Sequence, residues 1–238
     1  MNYLSEIEIS PNGENYYPFN LKIYAQRQNI KFSKPITFIV GENGCGKSTL
    51  LEGLAASIGF NTSGGNANHL YNENHNENLD KIMKLTWNLK TKKGFFFRAE
   101  SFFNFSKYID RLSDDDKTIY NAYGGKSLQE QSHGESFLSL FANKFREGIF
   151  ILDEPEAALS PERQLTLISL LYELSQSNKC QFIIATHSPI LITTPNSEVL
   201  EFNNSKIEKT NYKNTKQYTL YKSFLESPER YIKYLTNK

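Results

Sequence analysis

The chain has 238 residues, of which 39% are hydrophobic and 13% aromatic, enough for a substantial core in one large domain. Its 27 basic and 26 acidic residues nearly cancel, so the net charge of +1 gives no overall electrostatic case for nucleic-acid binding. No apolar run reaches the ~18 residues of a membrane span, nothing at the N-terminus suggests secretion, and two cysteines are too few for a disulfide framework. We therefore expect a soluble protein of the reducing cytoplasm.

The first 35 residues favour β-structure. Residues 5–10 alternate, with Ile7 and Ile9 on one face, and Leu21 to Tyr24 is predicted as another strand. A continuous apolar run over residues 36–40 predicts a buried strand, which leads directly into a glycine-rich segment.

Residues 41–49 read GENGCGKST and fit the phosphate-binding pattern G-x-x-x-x-G-K-[ST]. Glycines allow backbone N–H groups to turn inward around phosphates, while Lys47 can reach the β- and γ-phosphates and the Ser48 hydroxyl can bind Mg²⁺. Apolar residues at helical spacing follow from residue 49 to residue 58, so a helix begins beneath the phosphates with its positive dipole end. The segment therefore predicts nucleoside triphosphate binding by Gly41, Glu42, Asn43, Gly44, Cys45, Gly46, Lys47, Ser48 and Thr49.

The middle of the chain is less regular. Residues 59–78 form a polar segment that holds His69, Glu73, His75 and Glu77, whose spacing matches no familiar metal-ligand set, so solvated loop residues are favoured. Strands are predicted over residues 85–89 and 95–98, and residues 101–147 are predicted to form a small, mostly helical subdomain.

Strands and helices alternate after residue 134. Helices are predicted over residues 137–145 and 161–175, and buried strands over residues 148–152 and 181–186. The second helix has an apolar side formed by Leu165, Ile168, Leu171 and Tyr172. This order predicts an α/β sheet with parallel central strands. From residue 201 the sequence predicts a polar C-terminal tail with a short helix over residues 228–235.

Three further groups of residues can serve the same site. Asp153 and Glu154 end a buried strand, where Asp153 would hold Mg²⁺ and Glu154 would orient or deprotonate water, although two acids can merely cap a strand end. His187 directly follows the next strand and can hydrogen-bond a γ-phosphate, although a histidine at a strand end can also be purely structural. Residues 131–136, QSHGES, precede a helix and offer N–H groups to an anion, although such residues are also ordinary helix caps.

In their order, GENGCGKST, SHGES, ILDEPE and ATHSP resemble the Walker A, signature, Walker B and switch-histidine motifs of ABC-type ATPases. The likeness covers roughly residues 30 to 200. SHGES departs from the commoner LSGGQ, and its combination with ATHSP is similar to small bacterial AAA-family ATPases related to the RecF, SMC and OLD types. The resemblance implies a P-loop NTPase fold of the ABC-ATPase type: a mixed central sheet with parallel core strands, an antiparallel β-rich N-terminal part and a small helical subdomain, within one domain over residues 1–238.

The resemblance also implies ATP and Mg²⁺ as cofactors, and the preference for ATP over GTP rests on the family alone. Two chains would form a head-to-tail homodimer on ATP binding, in which Ser132, Gly134 and Glu135 contact the nucleotide held by the other copy. Lys47, Glu154 and His187 would be catalytic, with Ser48 and Asp153 at the metal. Glu100 stands where a Q-loop glutamine is expected and is a candidate metal neighbour, and residues 157–160 occupy the D-loop position.

The leading hypothesis is a soluble ATPase that drives or gates a protein partner, and the likeness to the RecF and OLD types suggests DNA repair or a defence complex. In contrast to SMC-like ATPases, no coiled-coil arms are predicted before the signature segment. The alternatives are a nucleotide-binding subunit of a membrane ABC transporter and an ATP-dependent binding switch with little turnover. DNA contact is weakly supported, because its candidates are more often solvated charges: Lys90, Lys92, Lys93, Arg98, Lys206, Lys209, Lys213 and Lys216. Four tail aromatics are candidate partner contacts, although core packing is favoured for most of them: Tyr221, Phe224, Tyr231 and Tyr234.

Overall fold

A computed structural model describes residues 2–62, 64–65, 79–100, 102–115, 127, 133–203 and 205–236. The strands in these ranges are β1 (Leu4–Ile9), β2 (Gln28–Lys31), β3 (Ile36–Gly41), β4 (Met83–Trp87), β5 (Gly94–Arg98), β6 (Gly148–Asp153), β7 (Cys180–Ala185), β8 (Ser197–Asn203) and β9 (Lys206–Thr210). The α-helices are α1 (Lys47–Ile58), α2 (Phe102–Asp115), α3 (His133–Lys144), α4 (Pro161–Gln176), α5 (Lys216–Glu226) and α6 (Pro228–Thr236).

The strands form two sheets. The smaller is antiparallel, in the order β2-β1-β4, and the larger has the order β5-β6-β7-β3-β8-β9. In the larger sheet, β5, β6, β7, β3 and β8 pair in parallel with their neighbours, and β9 pairs antiparallel with β8. The predicted α/β class is therefore confirmed, with a mixed central sheet, parallel core strands and an antiparallel N-terminal part.

Side-chain alternation along β3 separates two hydrophobic cores. Ile36, Phe38 and Val40 pack in the core that includes α3 and α4, whereas Ile39 packs in the core that includes α1 and the antiparallel sheet. Successive side chains of a strand point to opposite faces, so a strand covered on both faces is apolar throughout. The central sheet therefore lies between a layer that contains α3 and α4 and a layer formed by α1 and the antiparallel sheet, and the carboxyl ends of its parallel strands meet at one edge.

Phenylalanines fill much of the core around α3. The Phe145 and Phe150 rings stack with centroids 4.3 Å apart, and Phe150 also stacks on Phe182 at 5.3 Å. Phe141 lies 4.3 Å from Phe145. Such contacts add to the free energy of burial and fix α3 against the strand that ends in Asp153.

One predicted strand is wrong, and the apolar side predicted for α4 is only partly buried. The strand predicted over residues 21–24 is a series of turns, in which the Leu21 N–H bonds Pro18 O and the Tyr24 N–H bonds Leu21 O, and the second strand lies at Gln28–Lys31. On α4 the buried side chains include Gln164, Leu167 and Leu171, while Leu165 and Tyr172 are exposed. A short apolar run fits both a turn and a strand, and α4 carries two apolar stripes. Only the packing of the folded chain therefore decides which structure forms at residues 21–24 and which stripe of α4 is buried.

The polar tail predicted from residue 201 begins inside the central sheet, where β8 and β9 form a hairpin, and then forms α5 and α6. The predicted core packing is wrong for three of its aromatics, since Tyr221 is 52%, Phe224 38% and Tyr234 85% exposed. In the described part of the chain, no helix is long and apolar enough to cross a membrane.

Candidate nucleotide-binding site

The phosphate loop follows β3 and is shaped by glycines that other residues cannot replace. Gly44 has φ 75° and Gly46 has φ 103°, in the left-handed region that glycine adopts without steric cost. A Cβ on Gly46 would lie 3.0 Å from the Tyr24 ring, and the Tyr24 hydroxyl donates to Gly46 O at 2.5 Å. Tyr24 thus packs against the loop and supports it at Gly46, a role that the sequence analysis did not predict.

Lys47 at the start of α1 is held inside this loop. Its side chain is nearly buried, and Nζ donates to the carbonyl oxygens of Gly41 at 3.0 Å and Glu42 at 2.9 Å. Buried ammonium groups require such acceptors. Because both acceptors belong to the loop, the cation lies where phosphate oxygens would meet the loop N–H groups.

Ser48 and Asp153 are brought together from α1 and β6. The Ser48 hydroxyl donates to Asp153 Oδ1 at 3.2 Å. Burial raises the pKa of the Asp153 carboxyl to about 6, against the opposing effects of Arg98 and Ser48. Two oxygen donors beside a phosphate loop suit the hard, oxygen-preferring Mg²⁺ ion, whose charge would favour the ionised carboxylate.

A buried ion-pair network beside Asp153 was missed by the sequence analysis. Arg98, whose side chain is 12% exposed, pairs with the buried Glu52 of α1, and its Nε lies 3.9 Å from Asp153 Oδ2. The interpretation of Arg98 as part of a DNA-contacting edge is therefore wrong. A charged residue within the apolar stripe of α1 was the available signal, because buried carboxylates require a partner.

Glu154 and His187 come together at the ends of β6 and β7. Glu154 has φ 49° and ψ 52°, a left-handed conformation uncommon for non-glycine residues and frequent at functional sites. His187 Nε2 lies 3.5 Å from Glu154 Oε1. That nitrogen is buried and makes no hydrogen bond with any residue that the structure describes.

The protonation state of His187 fits this arrangement. Burial, followed by the nearby Lys47 cation, lowers the pKa of the imidazole below its ordinary value, against the opposing effect of Glu154. A neutral imidazole at pH 7 offers one donor and one acceptor.

Glu156 is another residue to which the sequence analysis assigned no role. Its Oε1 accepts the backbone N–H of His187 at 2.6 Å, and burial raises the pKa of its carboxyl. This contact ties the turn after β6 to the residue that follows β7. Glu156 therefore fixes the backbone from which the histidine side chain projects.

Glu100 lies farther from these groups. Its side chain is 87% exposed, and Oε2 lies 3.5 Å from Arg98 Nη2. It nevertheless lines the same cavity of about 320 Å³ as Ser48 and Asp153. The position predicted for Glu100 near a metal thus corresponds to the rim of this cavity.

The predicted signature segment is described only from residue 133 onward. Ser132 lies outside the described residues, as do His69, Glu73, His75 and Glu77. Glu135 pairs with Arg163 of α4 at 2.9 Å. Gly134 is packed so closely that a Cβ would meet the Arg163 side chain at 2.5 Å and Ala158 O at 3.0 Å, so the start of α3 is fixed against the predicted D-loop.

Besides Arg98, three of the eight cations proposed for DNA contact form ion pairs with acidic side chains. Lys93 pairs with Glu147, Lys209 with Glu198 and Lys216 with Glu42, each within 3.0 Å. These pairings weaken the case for a basic surface patch.

Comparison with known proteins finds similarity to ATPases and ATP-binding proteins. Residues 136–192 match the family model described as AAA ATPase domain. The molybdate import ATP-binding protein MolC of Haemophilus influenzae is 26% identical over 193 residues, which are 71% of this chain and 72% of that protein. The DNA repair protein RAD50 of Drosophila melanogaster is 67% identical over 31 residues, which cover 13% of this chain and only 2% of RAD50.

Solved structures agree with the fold. The cbiO1 protein of Clostridium perfringens, part of the ABC transporter complex cbiONQ, superposes with a TM-score of 0.56 at 17% identity, covering 100% of both chains. The SMC head domain of Thermotoga maritima superposes with a TM-score of 0.51 at 18% identity, covering 88% of this chain and 100% of that domain. In fold and motif order, the chain therefore resembles ATPases of the ABC/AAA type.

Proposed function

We propose that this chain binds and hydrolyses ATP with Mg²⁺, dimerises head to tail around two ATP molecules, and thereby drives or gates a protein partner. One observation carries the proposal: Lys47, Ser48, Asp153, Glu154 and His187 converge at the carboxyl edge of the parallel strands. Sites of open α/β sheets lie at this edge.

Binding would use the loop and the start of α1. The N–H groups of residues 41–49 would surround the β- and γ-phosphates, and Lys47 would exchange its two carbonyl acceptors for phosphate oxygens. Ser48 and Asp153 would hold Mg²⁺, which neutralises charge on the phosphates when bound. Glu100, at the rim of the adjoining cavity, would lie near that metal as a replacement for the Q-loop glutamine.

Hydrolysis would depend on the pair at the strand ends. Glu154 would orient the attacking water and take its proton as the water oxygen bonds the γ-phosphorus and the bond to the bridging oxygen breaks, which yields ADP and phosphate. His187 Nε2, buried and without a hydrogen-bond partner among the described residues, would contact the γ-phosphate. The pair at 3.5 Å is held by the left-handed backbone of Glu154 and the bond from Glu156.

The dimer would complete each site with residues of the second copy. Ser132, Gly134 and Glu135 of one chain would face the nucleotide held by Lys47 of the other. The packing of Gly134 against Arg163 of α4 and against Ala158 O fixes the start of α3, as a preformed contact requires. Occupancy by γ-phosphate would then favour the closed dimer, and hydrolysis would release it.

The partner is a protein, and a role in DNA repair or defence is the leading context. A second candidate, the nucleotide-binding subunit of a membrane transporter, is favoured by the similarity to MolC over most of this chain. The third, a binding switch with little turnover, is disfavoured by the close approach of Glu154 to His187.

The decisive experiment measures the solution mass of Glu154→Gln with ATP and Mg²⁺ at micromolar concentration. Removing the general base is expected to slow hydrolysis by about 10²–10⁴-fold, so that the ATP-bound dimer persists and the mass doubles. Lys47→Ala is the matched control, because it removes the phosphate-binding cation from the same loop.

The combination Glu154→Gln with Lys47→Ala should stay monomeric under the same conditions. A Glu154→Gln protein that binds ATP but remains monomeric would contradict the dimer. A wild-type protein that binds no ATP would contradict the whole proposal.

A further inference from the structure

Arg163, in the first turn of α4, lies where three segments of the chain meet. Its Nη2 donates to Glu135 Oε1 at 2.9 Å, and its backbone N–H donates at 3.4 Å to the hydroxyl of Ser160, the N-cap of α4. Glu135 belongs to the first turn of α3, and Ser160 is the last residue of the predicted D-loop, residues 157–160. One arginine thus contacts both the start of α3 and the D-loop.

The same arginine explains why residue 134 is glycine. A Cβ on Gly134 would lie 2.5 Å from Arg163 Nη1, 2.9 Å from Arg163 Cδ and 3.0 Å from the carbonyl oxygen of Ala158 in the predicted D-loop. Gly134 is buried within α3 and its φ is not positive, so close packing and not backbone conformation requires glycine here. A side chain at this position would displace Arg163 from the start of α3.

The predicted D-loop continues the turn that carries Glu154. The Ala157 N–H bonds Glu154 O at 3.0 Å, and Gln164 Nε2 donates to Leu159 O at 3.3 Å. Gln164 is buried, and its Oε1 accepts the hydroxyl of Ser188, beyond the end of β7, at 2.6 Å. The first turn of α4 is therefore tied to the strand ends at which the candidate site lies.

The ion pair between Arg163 and Glu135 contributes little to the free energy of folding. Their side chains are 32% and 57% exposed, and exposed ion pairs gain little attraction in water against the side-chain entropy that they lose. A guanidinium that donates to a carboxylate nevertheless has a defined geometry. The contact is therefore better suited to fixing the relative position of two segments than to stabilising the fold.

Under the proposed function, the start of α3 approaches the nucleotide that the second copy holds, while Glu154 serves the nucleotide of its own chain. Arg163 connects the two, because it contacts Glu135 and lies in the turn of α4 that is bonded to the D-loop. A surface whose parts are already in place loses less freedom on association and so binds more tightly.

From these contacts we propose that Arg163 is a positioning residue for the dimer. It fixes the start of α3 relative to the turn that carries Glu154, so that the surface offered to the second copy is preformed. The inference rests on the proposed function, because it requires the head-to-tail dimer. It assigns a role in assembly to a residue outside the four motifs.

The experiment measures the dissociation constant of the Glu154→Gln dimer with ATP and Mg²⁺ by sedimentation, with and without Arg163→Ala. Arg163→Ala should raise this constant about tenfold, because the preformed contact is lost. ADP binding, measured by titration calorimetry, should stay within twofold, because ADP carries no γ-phosphate to favour the dimer and the loop with Lys47 is unchanged. The urea midpoint should change little, since the ion pair is exposed.

The control variants separate positioning from other effects. Arg163→Lys should recover most of the dimer affinity, because the contact with Glu135 uses one N–H. Arg146→Ala, an exposed change before the start of β6 and thus at the sheet edge opposite Asp153, should leave the dimer unchanged. When Glu135 is already alanine, Arg163→Ala should weaken the dimer little further. Arg163→Met keeps the apolar stem against Gly134 and replaces Arg163→Ala if that variant does not fold.

Three results would overturn this inference and leave the proposed function intact. They are an unchanged dimer in both Arg163→Ala and Arg163→Met, no recovery in Arg163→Lys, and full additivity with Glu135→Ala. A tenfold loss of ADP binding or a large fall in the urea midpoint would also overturn it, since Arg163 would then support the loop or the fold. If Glu154→Gln binds ATP but stays monomeric with Arg163 intact, the inference fails together with the proposed dimer.

Discussion

Glu154 and Glu156 lie two positions apart, yet their surroundings give them different roles. The Glu154 side chain is 46% exposed and approaches His187 Nε2, whereas Glu156 is largely buried and accepts a backbone N–H. A carboxylate that takes a proton from water must face the cavity, and one that fixes backbone must be enclosed. Geometry thus distinguishes a candidate base from a positioning residue, although both are glutamates in one motif.

Removing the Glu156 carboxyl should lower turnover without weakening ATP binding. Glu156→Ala is expected to reduce kcat about tenfold with little change in KM, because it frees the His187 backbone and leaves the phosphate loop intact. Glu156→Gln should recover most of the rate, since an amide oxygen can accept the same N–H. Steady-state ATPase assays measure both constants.

A His187→Ala background provides the control for this role. In that background Glu156→Ala should reduce kcat little further, because the effects of two residues that act through one contact are not additive. Full additivity of the two losses would show that Glu156 acts elsewhere.

At the scale of elements, Glu198 of β8 joins three parts of the central sheet. Its fully buried carboxylate accepts from Ser33 N at 2.7 Å before β3, from Thr37 Oγ1 on β3 at 3.2 Å, and from Lys209 Nζ on β9 at 2.8 Å. Burial by itself would raise the pKa of this carboxyl, and the bonds from Lys209 and Ser33 outweigh it and hold the pKa below its ordinary value. The hairpin that the sequence analysis missed is therefore anchored by charge as well as by strand pairing.

Glu198→Gln should lower the free energy of unfolding at pH 7 by about 1–3 kcal/mol. Because the folded-state pKa lies below the ordinary 4.5, the ionised group stabilises the fold above pH 4.5, and this contribution is lost as the pH falls through the folded-state value. The difference between variant and wild type should thus shrink in acid. Urea denaturation at pH 7 and near pH 4 measures it.

Glu173→Gln, an exposed change on α4, serves as the matched control and should alter stability by less than about 0.5 kcal/mol at either pH. A Glu198→Gln difference that grows as the pH falls would contradict the assignment.

At the scale of the whole molecule, two hydrophobic cores flank the central sheet, and Tyr218 of α5 packs against one of them. Leu171 of α4 is fully buried in the core that includes α3 and α4, whereas Leu225 of α5 is 72% exposed and Leu235 of α6 is 73% exposed. Leu225 and Leu235 are thus not part of the hydrophobic core that stabilises the fold.

Leu171→Ala should therefore cost about 2–5 kcal/mol of unfolding free energy, and Leu225→Ala less than about 0.5 kcal/mol. Only Leu171→Ala leaves a cavity in close-packed surroundings. Thermal and urea denaturation of the two variants provide the comparison. A loss above about 2 kcal/mol in Leu225→Ala would mean that α5 is buried in the folded protein.

The sequence by itself determined the features that depend on neighbouring residues. The phosphate loop between β3 and α1, the acids at the end of β6 and the helix after Pro161 were predicted because their signals are contiguous. The alternation of strands and helices also determined the α/β class, since parallel strands need helical connections.

Tertiary structure alone decided which distant side chains meet. The bond from His187 to Glu156 spans 31 positions, and the pair of Lys216 with Glu42 spans 174. Local periodicity carries no information about such contacts, because they depend on how elements pack. For the same reason, the burial of Arg98, the turns at residues 21–24 and the contact of Arg163 with the start of α3 followed only from the folded chain.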